Sequence, residues 1–110
     1  MSLFYDNSTE HVSAEAPLSA VERVYCLRLS DFTDADYAHL EEIYRCLPGW
    51  RGFAPDGIPS WFGFEGSTPF LNASVEPSGL QVIGILTPED WQAWDRAFRL
   101  HLPEFPTFDV

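Results

Sequence analysis

The sequence predicts an α+β fold: a largely antiparallel four-stranded sheet with two helices, in the order β-α-β-β-β-α. Three observations lead there. Two segments repeat apolar residues at three–four spacing behind a capping Thr, Thr33 and Thr87, which is the pattern of amphipathic helices. Residues 61–86 hold three short runs of strand formers separated by turn residues. Consecutive strands joined by short turns make antiparallel sheets, against which the helices pack on their apolar stripes.

Each element can be read in chain order. Residues 1–20 are mostly polar after Leu3, Phe4 and Tyr5 and read as an N-terminal arm, leaving 21–110 as a single domain. Residues 21–30 are rich in strand formers, with Tyr25, Leu27 and Leu29 on one face. The direction in which this first strand meets the later ones stays open, because a helix crosses between them. That helix starts at Thr33, carries Asp34 and Asp36 in its first turn, and builds a stripe from Tyr37, Leu40, Ile43, Tyr44 and Leu47. Pro48 and Gly49 stop it.

Residues 48–60 contain three Pro and three Gly and no periodicity, the composition of a long loop. Strands are then expected over 61–65, with Phe62 and Phe64 on one side, and over 70–76, with Leu71, Ala73 and Val75 opposing Asn72, Ser74 and Glu76. A turn at Pro77, Ser78 and Gly79 leads into a central strand over 80–86. The second helix has Thr87 as cap, Pro88 in the first position, Glu89 and Asp90 in the first turn, and a stripe of Trp91, Trp94, Phe98 and Leu102. The expected core sets Trp91, Trp94 and Phe98 on Leu71, Val75, Val82 and Leu86, joined by Leu40, Ile43 and Leu47. Two tail aromatics, Phe105 and Phe108, are placed to clip onto the domain.

Composition narrows the function. Nine Phe, four Tyr and four Trp in 110 residues supply a substantial core, since each buried ring removes roughly 150–250 Å² from water. The net charge is −11 and the basic residues are all Arg. Such a surface lacks the basic footprint that phosphate backbones or anionic membranes require. Residues 1–20 lack a secretory pattern and no run approaches a transmembrane length, so a cytoplasmic location is expected.

Chemistry is hard to find. Cys26 and Cys46 match no zinc spacing and read as small buried hydrophobes. His11, His39 and His101 do not form a helical metal pair, and no nucleophile elbow or phosphate-binding glycine loop occurs. The reading is therefore no metal, no cofactor and no catalysis. The remaining signal is a recognition surface. Asp34, Asp36, Glu41 and Glu42 concentrate negative charge on the first helix, beside the Pro/Gly loop with Trp50, Arg51 and Asp56. These seven residues are the candidate partner-binding site, with a basic protein as partner. Alternatively, Trp50 and Phe53 tuck under the loop and seal the core.

The stretch from Ser74 through Pro77 and Gly79 to Val82, followed by Trp91-Gln92-Ala93-Trp94, resembles the C-terminal halves of small acidic bacterial immunity proteins of polymorphic toxin systems. Size, acidity and the one-domain α+β layout add to the resemblance, which implies a protein that binds and neutralises a cognate toxin. It carries over no site residues. Two other functions compete. One is an acidic decoy that inhibits a nucleic-acid-binding protein, as phage-encoded inhibitors do. The other is a small ligand-binding or enzymatic domain with a pocket lined by Trp50, Trp61 and Phe62.

Overall fold

Asp95 is an acid in the middle of an aromatic helix, and it is only 6% exposed. A buried carboxylate needs partners, and the fold supplies them from one neighbouring strand and from the helix itself. The computed structural model describes residues 3–11 and 18–108. Its strands are β1 (Phe4–His11), β2 (Ser19–Tyr25), β3 (Trp50–Phe53), β4 (Pro59–Trp61), β5 (Phe70–Glu76) and β6 (Gly79–Leu86), and its helices are α1 (Asp34–Cys46) and α2 (Pro88–Arg99). The six strands form one sheet in the order β1-β2-β6-β5-β4-β3, antiparallel throughout.

The α+β class and the two helices stand, but the expectation of four strands is corrected to six. One extra strand, β1, comes from the segment read as an arm. Its residues pair with β2 through Phe4–Tyr25 and Glu10–Ala20, while residues 1, 2 and 12–17 of that arm lie outside the described set. The other, β3, lies within the expected loop and pairs with β4 across Trp50–Trp61. The expected strand over 61–65 instead ends at Trp61. Phe62 there adopts a φ of +68°, a left-handed conformation that a bulky residue enters only at a cost of about 1–3 kcal/mol. Its N–H donates to the Gly49 carbonyl at 2.6 Å, and its ring fills the place a Cβ on Gly49 would need. The open question about the first strand closes as antiparallel: β2 ends at Tyr25 and lies against β6. Leu29 has left it for a short 3₁₀ turn, Leu29–Asp31.

The helices begin where their caps say. Thr33 and Asp36 form a capping box, and Thr87 Oγ1 accepts from the Asp90 N–H. Both helices lie on one face of the sheet. Residues in register across that face are Val21, Gly84 and Leu71, and Tyr25, Leu80 and Val75. Trp94 and Phe98 of α2 pack on Tyr25, with ring centroids 6.1 and 4.8 Å away. Trp61 joins the helices, edge-on to Trp94 at 5.0 Å and to Tyr44 at 5.2 Å, and its Nε1–H donates to the Tyr44 carbonyl.

The expected core is mostly buried, with two corrections. Trp91 is half-buried, stacked on Trp94 and under the Arg23 guanidinium. Val75 is 55% exposed, because at its end of β5 the helix layer leaves the sheet uncovered. A third correction concerns the cysteines: Cys26 is buried, but Cys46 is exposed at the end of α1. The tail clips on as expected. Leu27 pairs with Thr107, and Phe105 stacks on Phe32 at 5.3 Å.

Asp95 ties these pieces together. Its Oδ1 accepts from the Tyr25 hydroxyl at 2.6 Å and from Arg23 Nη1 at 2.7 Å, and its Oδ2 forms an ion pair with Arg99 Nε at 2.9 Å. Arg23 also holds Asp6 of β1, with Nη2 to Oδ2 at 2.9 Å, and lies over the Phe4 ring at 4.1 Å. Burial works against the Arg23 charge, but the Asp6 hydrogen bond and the Asp95 charge outweigh it and raise its pKa. Burial, then Asp95, raises the Tyr25 pKa well above the usual phenol value, so this hydroxyl stays a donor. Asp95→Ala leaves the buried Tyr25 hydroxyl without its acceptor and takes one counter-charge from Arg23 and Arg99, and should cost about 3 kcal/mol or more. Tyr25→Phe, which leaves Asp95 with both arginines, should cost nearer to about 1 kcal/mol. Urea unfolding of the two variants measures the difference; equal midpoints would show that the carboxylate is not the junction.

Candidate functional site

The structure disperses the seven residues singled out from sequence. Asp36 is spent on the α1 cap, its Oδ2 accepting from the Thr33 N–H at 2.9 Å and hydroxyl at 3.1 Å. Asp34 is exposed in the same turn. Glu42 is exposed and reaches His39 at 3.9 Å. Asp56 organises the turn between β3 and β4, where its Oδ1 accepts from the Ile58 N–H at 3.2 Å. Arg51 is exposed on β3. Trp50 is half-buried among Tyr44, Phe53 and Trp61, with centroids 6.5, 5.3 and 5.6 Å away. That placement matches the sealing role, not a projecting anchor. Glu41 remains.

Glu41 stands on the wall of a groove. The groove runs between α1, the end of β3 with the last residues of the β3–β4 connection, and the β5–β6 hairpin, and has a volume of about 300 Å³. Tyr37, Leu40, Glu41 and Tyr44 line it from α1, Phe53 and Ile58 from the opposite side, and Val75 and Leu80 from the sheet. Among the described residues five large apolar side chains are exposed, and Tyr37 (38%), Phe53 (40%) and Val75 (55%) all line this groove. Clustering of exposed apolar side chains marks a contact surface, whereas single ones do not. A wider hollow of about 580 Å³ continues past Tyr37 and Val75 toward Arg28, Glu76 and Phe108.

Charge at the groove comes from one side chain. Among the described residues Glu41 is the only charged one lining it, and its carboxylate forms no ion pair with any of them. Burial, then Glu41, then Tyr37 push the Tyr44 phenol pKa up, so that hydroxyl stays neutral beside the carboxylate. Leu40, Tyr44 and Leu80 form a buried floor.

Sequence reasoning named Glu41 and missed its neighbours. Tyr37 and Val75 fall in phase with core stripes, and nothing in their periodicity says that the layer above them stops short. A signal was present in Tyr37, which follows the cap by one turn, where a helix stripe is only beginning to meet its sheet. The pocket expected from Trp50, Trp61 and Phe62 fails, because Trp61 is fully buried and its indole is occupied with Tyr44.

Two other polar clusters have structural roles. Glu104 accepts from both ring systems of His39 (2.6 Å) and His101 (2.7 Å), joining α1 to the short turn Leu102–Glu104. Among the described residues no group of His, Cys, Asp and Glu could hold a metal ion; the side chain of His11 lies outside them. The Asp6–Arg23–Asp95–Arg99 chain is internally paired and offers no open acid or base.

Two outcomes check these assignments. Trp50→Ala should destabilise the domain by about 2–4 kcal/mol, as loss of a half-buried ring packed on three others does, and thermal melts measure it. An unchanged melt would return Trp50 to the recognition surface. The hydrogen bonds from His39, then His101, lower the Glu104 pKa below its ordinary carboxylate value. A carboxyl depressed in the folded state adds stability above its unfolded pKa and loses it as pH falls through the folded one. Glu104→Gln should therefore show a shallower fall in melting temperature below about pH 4.5 than the parent chain, and parallel acid limbs would exclude the coupling.

Comparison with known proteins returns no matching family model, no similar curated protein and no similar solved structure.

Proposed function

We propose that this chain acts by binding another protein rather than by catalysis, and that it does so as a cytoplasmic immunity-type inhibitor that neutralises a basic bacterial toxin. The observation carrying this reading is the groove. Three of the exposed apolar side chains converge there on Glu41, which forms no ion pair among the described residues, in a chain of net charge −11. Apolar contact surrounded by charge of one sign gives affinity at the centre and steered encounter from a distance. Among the described residues, no helix is long and apolar enough to cross a membrane, in keeping with action in an aqueous compartment.

The charge also favours a second reading, a decoy that occupies the nucleic-acid groove of its target. In both readings the partner is basic; they differ in what the partner loses on binding.

The test uses the purified chain as bait in lysate of its host, with captured proteins identified by mass spectrometry and then purified. Val75→Arg places bulk and positive charge in the groove at a residue already exposed, so the unfolding midpoint should stay within about 0.5 kcal/mol. Affinity for the basic partner should fall at least about tenfold, a loss of about 1.4 kcal/mol. Co-expression that restores growth of cells producing the partner supports the immunity reading. Displacement of the partner from nucleic acid, without any growth effect, supports the decoy. A folded Val75→Arg that binds every partner as tightly as the parent chain would remove the groove from the function.

A further inference from the structure

We propose that the groove takes the side chain of an arginine presented by the basic partner, held between aromatic walls and the Glu41 carboxylate. This rests on the protein-binding reading and names what enters the site.

The walls decide the chemistry. Tyr37 and Phe53 line the groove as exposed aromatic rings above the buried Tyr44, and Ile58 and Val75 give it an aliphatic margin. Aromatic faces attract cations, arginine most often among side chains, because its planar guanidinium can stack and still donate hydrogen bonds at its edge. Its methylene stem needs apolar surface to lie along. One groove supplies both.

Glu41 supplies the counter-charge and is available to do so. The other acids with defined roles are engaged: Asp36 in the helix cap, Asp56 in its turn, Asp95 inside the domain, and Glu104 with two histidines. Glu41 has no ion-pair partner among the described residues. A purely apolar occupant would cover this carboxylate without pairing it, which is costly. A lysine would pair with it but, as a compact and strongly hydrated charge, would use the aromatic faces poorly. The volume of about 300 Å³ is ample for one arginine side chain.

The test titrates ¹⁵N-labelled full-length chain with capped Gly-Arg-Gly and with versions carrying citrulline, lysine or norleucine in place of arginine. The arginine peptide should produce saturable shifts at Tyr37, Glu41, Phe53 and Val75. Citrulline, neutral and of the same shape, should bind at least tenfold more weakly, and lysine several-fold more weakly. Glu41→Gln should weaken arginine binding at least tenfold, whereas Asp34→Asn, removing an acid outside the groove, should not change it. Equal binding of arginine and citrulline, or equal losses in the two variants, would overturn the proposal in favour of apolar or diffuse charge contact. The two readings fail separately. A partner lost on Val75→Arg but indifferent to Glu41→Gln leaves protein binding in place and removes the arginine. Arginine in the groove with a partner indifferent to both variants removes the groove from the partner interface.

Discussion

Two phenomena meet at Asp95: a charge taken out of water, and a helix that would otherwise have mainly apolar contact to fix it on the sheet. Apolar packing alone tolerates sliding, because it is not directional. A carboxylate that must receive the Tyr25 hydroxyl and the Arg23 guanidinium fixes the rotation of α2 on the sheet. Arg23 passes the constraint on to Asp6 and so adds a side-chain tie to the ladder that holds β1 on β2. The aromatic cluster of Tyr25, Trp61, Trp94 and Phe98 then fills the volume so defined. The Trp94 Nε1–H finds no acceptor among the described residues, so that indole serves shape and area, while the polar restraint is delegated to Asp95.

Where the sequence could be read, local chemistry was sufficient by itself. Thr33 with Asp36, and Thr87 with Pro88, place the helix starts without any knowledge of the sheet. The alternation in β5 and the apolar run of β6 likewise speak for themselves. The two unforeseen strands are those whose identity comes from their neighbours. In β1 the run from Asp6 to Glu10 is polar throughout, so no period-two pattern shows, and pairing with β2 makes it a strand. In β3 four residues, one of them Gly52, extend only because β4 lies alongside.

The same distinction runs through the candidate site. Glu41 was legible because charge on a helix face can be counted. Trp50 was named for its type, and type does not reveal that Tyr44, Phe53 and Trp61 surround it. Val75 shares the phase of Leu71 and Ala73, and its exposure follows from how far the helices extend over the sheet, a tertiary property. Asp36 and Asp56 illustrate a further limit. Their carboxylates are consumed by backbone N–H groups in a cap and a turn, so a surface that looks densely acidic in sequence has fewer acids at liberty for a partner.

The groove lining divides into a floor that the core owns and a rim that it does not. Leu40, Tyr44 and Leu80 are buried, whereas Tyr37, Glu41, Phe53 and Val75 project from the rim. Replacements at the more exposed rim positions, Glu41 and Val75, should cost little folding stability, so this surface can diversify by single substitutions while the scaffold below is preserved. A lineage could thus retune which partner it recognises through a few neutral steps, without passing through an unfolded ancestor.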